Sequence, residues 1–62
     1  MAFENYKTTD PYILYSMVNM KLRDENITLD ELCKAYEIDK AILVERLAKI
    51  NFAYDETTNQ FK

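Results

Sequence analysis

Few residues of this chain could do covalent chemistry. Its 62 residues include no histidine and one cysteine, so neither a Ser-His nor a Cys-His nucleophilic pair can be assembled. Glycine is absent too, which removes the usual phosphate-cradling loop. The single Cys33 allows no intramolecular disulfide and no zinc cluster. Its helical spacing with Leu29, Leu32 and Tyr36 marks it as core rather than nucleophile. Acidic pairs stand at Asp24/Glu25, Asp30/Glu31 and Asp55/Glu56. Paired carboxylates doing general acid–base work need a sheltering cleft, whereas these fall at helix ends or in a turn. Asp30 and Glu31 suit the positive end of a helix. No enzymatic activity, cofactor or metal is expected.

Binding is the chemistry that remains, and three groups of residues could serve it. Tyr12, Ser16, Asn19 and Arg23 follow one polar ridge of a helix and could hold a carboxylate or phosphate. The plainer reading is a solvated face, with Arg23 paired to a carboxylate such as Asp30 or Glu31. Ile13, Met17 and Met20 form an apolar stripe on the same helix, and Met suits adaptable contacts. Ala41, Val44 and Ala48 form a second strip on a later helix. Either strip could meet a second protomer or an unidentified protein partner. The alternative is internal cover, by the N-terminal arm for the first and by a C-terminal hairpin for the second.

Local signals fix the elements that carry these groups. Asp10-Pro11 is a strong helix start, with a capping side chain followed by Pro at the first helical position. Helices are expected over about 10–24, 28–36 and 39–50. Thr28 and Glu31 have the spacing of a capping box, with Ile27 and Leu32 placed for a hydrophobic staple. Asp39 can cap the third helix. Leu32, Cys33, Ile38, Leu43 and Leu47 then follow the apolar pattern of a helix-turn-helix. One departure is Glu37, at the turn position usually given to glycine, where positive φ costs a non-glycine residue roughly 1 kcal/mol. After Ile50 the alternation of Phe52 and Tyr54, the turn residues at 55–59 and Phe61 predict a β-hairpin over about 52–54 and 60–62. Phe52 or Tyr54, together with Phe61, should dock it on the core. The fold class is therefore mainly α, a three-helix helix-turn-helix-like bundle with a hairpin resembling a minimal wing. Residues 10–62 make the domain, and 1–9 an extended arm that Phe3 and Tyr6 could pin down.

Charge argues against the function this architecture suggests. The formal net charge is −3, and residues 1–27, 28–50 and 51–62 each carry one more acid than base. DNA affinity depends heavily on Lys and Arg neutralising phosphates. Only a dimer aligning Lys34, Lys40 and Lys49 would offer much, with Arg46 as a further cation if folding gathers the bases. A non-catalytic protein-interaction or self-association module is the preferred expectation, and a DNA-binding dimer the alternative. No signal peptide or membrane span is apparent, so a cytoplasmic location is expected.

The landmarks D-P-Y-I-L at 10–14, V-N-M-K-L-R-D at 18–24, L-D-E-L-C at 29–33, I-D at 38–39 and Y-D-E-T-T-N-Q-F at 54–61 act in combination. Over roughly residues 9–62 the chain resembles the short bacterial proteins of domain-of-unknown-function family 4250. The resemblance implies a small bacterial cytoplasmic protein. It brings no established activity and no site residues.

Overall fold

A computed structural model describes residues 3–62; Met1 and Ala2, the first two positions of the expected arm, lie outside the described residues. Three helices are followed by a two-stranded antiparallel hairpin: α1 Pro11–Glu25, α2 Leu29–Ala35, α3 Lys40–Ala48, β1 Tyr54–Asp55 and β2 Gln60–Phe61. The expected mainly-α fold is the one observed. The strands are shorter than the 52–54 and 60–62 expected, but Ala53 and Lys62 exchange both main-chain hydrogen bonds and extend the ladder by one pair.

Each helix starts where a short polar side chain can satisfy its free amides. Asp10 accepts from the Tyr12 amide at 2.9 Å. Thr28 and Glu31 form a complete capping box, with the Glu31 amide donating to Thr28 Oγ1 at 3.2 Å and the Thr28 amide to Glu31 Oε1 at 3.0 Å. Asp39 accepts from the Ala41 amide at 2.9 Å. Such caps contribute about 1 kcal/mol each.

The links after the helices and the hairpin turn each use a left-handed residue, and none is glycine. Asn26, Glu37, Asn51 and Asn59 all have positive φ. Glu37, at φ 56°, takes the conformation that glycine would otherwise supply, so the turn between α2 and α3 keeps its shape. The Ile38 amide then donates to the Cys33 carbonyl at 2.9 Å, the six-to-one bond of a Schellman closure. Asn51 repeats the device after α3: its amide donates to Ala48, and the Phe52 amide to Leu47.

The core holds Leu14, Val18 and Leu22 of α1, Leu29, Leu32 and Cys33 of α2, Ile38 of the link that follows, Leu43 and Leu47 of α3, and Phe61 of β2. Removing each large apolar side chain from water is worth about 1.5–3 kcal/mol. The hairpin packs through β2 on α1, and Tyr54 lies opposite Phe61 with ring centroids 5.5 Å apart. Phe52 stacks on Tyr15 at 4.1 Å, beside the hairpin.

The N-terminal segment differs from the extended arm expected. Residues 3–9 form consecutive turns, with the Tyr6 amide bonded to the Phe3 carbonyl and the Thr8 and Thr9 amides to that of Asn5. Phe3 and Tyr6 are buried in the core cluster. Two large aromatic rings spaced i and i+3 reach the same side only if the chain coils, and their burial outweighs the gain from solvating an extended strand. The chain exposes 4199 Å², against about 4,200 Å² for a folded monomer of this mass.

Candidate interaction surfaces

Helix α1 carries most of the candidate residues, and its circumference divides into three parts. The side bearing Leu14, Val18 and Leu22 is buried. The ridge of Tyr12, Ser16, Asn19 and Arg23 borders the hairpin, and the stripe of Ile13, Met17 and Met20 lies on the other side. Ile13 is 56% exposed and Met20 50%, while Met17 is half-buried and packs on the core. The N-terminal turns leave Ile13 and Met20 open.

The polar ridge does not converge on one site. Asn19 is committed to the hairpin: its Nδ2 donates to the Phe61 carbonyl at 3.0 Å and its Oδ1 accepts from the Phe61 amide at 2.8 Å. Tyr12 is 60% exposed and meets Phe52 edge-on at 6.4 Å. Ser16 is exposed. Arg23 is exposed and lies 3.5 Å from Asp24 rather than near Asp30 or Glu31. Those acids have other partners, Lys40 for Asp30 at 2.8 Å and the Thr28 cap for Glu31. Asn19 and Arg23 do share a shallow recess of about 290 Å³ with Asn26, Thr58 and Gln60.

On α3, Ala41 and Ala48 are exposed and Val44 is half-buried. The hairpin expected to cover this strip lies against α1 instead. The Asn19 clamp on Phe61 and the Tyr15 stack on Phe52 direct it there.

Several tertiary ties carry no local sequence signal. The Tyr6 hydroxyl accepts from the Asp39 amide at 3.1 Å. Arg46 Nη2 donates to the Thr9 carbonyl, while Arg46 Nε is buried without a hydrogen-bond partner among the described residues. Asn59 donates to the Ile27 carbonyl at 2.8 Å and accepts from the Tyr54 hydroxyl. Beside that tie runs an open groove of about 480 Å³, walled by Ile27, Leu29, the Asp30–Lys40 pair, Tyr54 and Glu56.

Electrostatics point the same way, toward structure. The Lys40 ammonium holds Asp30 below the ordinary carboxylate range, and Asp30 in turn raises Lys40. The Tyr36 hydroxyl, donating to Glu25 at 2.6 Å, lowers that carboxyl and is itself raised. Burial pushes the Cys33 thiol up, which keeps it protonated and unreactive at neutral pH.

A small mainly-α domain of three capped helices and a docked hairpin is thus defined, with apolar side chains left open on α1. The family model described as Domain of unknown function (DUF4250) matches residues 8–61. The chain belongs to that family. No curated protein and no solved structure gives a significant match. No helix among the described residues is long and apolar enough to cross a membrane.

Proposed function

We propose that this domain is a non-catalytic interaction module that associates through the outer stripe of α1. The observation that supports this most is the exposure of Ile13 and Met20 on a domain whose core is otherwise closed. With Met17 between them, they span two helical turns, about 10 Å, and offer flexible side chains suited to an apposed helix. A second copy is the simplest occupant, because one stripe set against itself across a two-fold axis is self-complementary.

Sedimentation of the wild-type chain from micromolar to millimolar concentration tests the proposal. A reversible dimer is expected, and Ile13→Asp with Met20→Asp should abolish it while the helical circular dichroism is retained. A wild type that stays monomeric throughout, or a dimer indifferent to both substitutions, would remove the reading.

DNA binding by a dimer is the lesser alternative. Of the four cations it would draw on, Lys40 pairs with Asp30 and Arg46 holds Thr9. Lys34 and Lys49 are left for phosphate. Absence of a mobility shift at low salt, where the phosphate attraction is greatest, would dispose of it.

A further inference from the structure

We infer that the surface formed by the end of α2 and the start of α3 is a docking groove for a short turn bearing Phe and Tyr three residues apart, and that residues 3–9 fill it as an intramolecular ligand. The segment has the construction of a separable piece. Its main-chain hydrogen bonds close on themselves, from Tyr6 to Phe3 and from Thr8 and Thr9 to Asn5, and the Thr9 hydroxyl adds a bond to Asn5 at 2.7 Å. Among the described residues, no main-chain to main-chain hydrogen bond joins residues 3–9 to the helices.

Side chains and one carbonyl hold it instead. The Phe3 ring meets Tyr36 edge to face at 5.1 Å. Tyr6 is buried beside it, and its hydroxyl takes the Asp39 amide, an amide at the start of α3 that the helix leaves free. The Thr9 carbonyl takes Arg46, whose Nε is buried without a hydrogen-bond partner among the described residues. The match to the family begins at residue 8, so both aromatic anchors lie outside the matched domain although they fill its core. The groove therefore recognises an aromatic pair on one turn, one hydroxyl acceptor and one carbonyl.

The test uses the full-length chain carrying Phe3→Ala and Tyr6→Ala, with a synthetic peptide of residues 1–9 as probe. Titration followed by amide NMR should show saturable binding with shifts at Tyr36 and Asp39. Binding to the wild type should be about tenfold or more weaker, because the tethered segment competes at millimolar effective concentration. If the double variant is unfolded alone, the peptide should restore its helical circular dichroism, and Phe3→Ala alone provides a milder host. The inference is overturned by any of three results: no binding to a folded host with no recovery of an unfolded one, equal binding to the wild type, or shifts confined to α1. Adding Ile13→Asp should leave peptide binding unchanged, which separates this groove from the α1 stripe.

Discussion

The carboxamide of Asn19 pairs with both main-chain groups of Phe61, accepting from its amide at 2.8 Å and donating to its carbonyl at 3.0 Å. The hairpin register explains why these groups need a partner. Ala53 and Lys62 exchange hydrogen bonds, so at the next pair, Tyr54–Phe61, the main-chain groups point away from the opposite strand. A side chain of α1 thus stands where a third strand would be, and it closes the inner edge of a two-stranded sheet that would be marginal alone.

Replacing Asn19 with Ala should therefore destabilise the domain by about 1–3 kcal/mol, since two partly buried main-chain groups lose their partner. A chain of this length has only about 3–9 kcal/mol of stability, so the loss will be plain in a urea titration. Amide exchange at Phe61 should accelerate more than at Leu14 or Leu43. Uniform acceleration would mean the clamp does not hold the hairpin in particular.

Glu37→Gly should act in the opposite direction. Glu37 is exposed and left-handed at φ 56°, a conformation that glycine adopts without the Cβ clash. A gain of about 1 kcal/mol is expected, reduced by the greater freedom of glycine in the unfolded chain. A higher thermal midpoint with unchanged helical signal is the outcome to look for, and a lower one would contradict the account.

Acid should weaken the fold in a defined window. Asp30 is lowered by Lys40, Glu31 by the Thr28 amide, Glu25 by the Tyr36 hydroxyl and Asp55 by Lys62. Each binds its proton less readily folded than unfolded, where such carboxyls titrate near pH 4. Their contribution is fully present above about pH 5 and is lost as pH falls through the lowered folded values. Thermal midpoints should be level from pH 7 to about 5 and decline below about 4. A midpoint that holds or rises in acid would refute it.

What the sequence reveals divides by distance along the chain. Asp10, Thr28 with Glu31, and Asp39 were legible as caps because a cap acts within three residues. The leucines of the core were legible because their spacing repeats with the helix. Asn19 read only as one polar residue on a ridge, since nothing near it marks a partner 42 positions away. Tyr6 and Arg46 are similar cases, tied to Asp39 and Thr9 across 33 and 37 positions. For the candidate surface, periodicity located the stripe of Ile13, Met17 and Met20. Whether anything covers it depends on where the hairpin and the first residues settle, which is a tertiary matter. The same limit made the hairpin a plausible cover for Ala41, Val44 and Ala48, of which Ala41 and Ala48 stay exposed.

The glycine-free bends have a mechanical consequence. A glycine bend turns freely of its surroundings, whereas each left-handed residue here carries a side chain that can be fastened to something else. Asn59 shows the effect: while its backbone turns the hairpin, its amide grips the Ile27 carbonyl and its oxygen receives the Tyr54 hydroxyl. The hairpin tip and the link between α1 and α2 are thereby riveted together, and neither can swing without carrying the other.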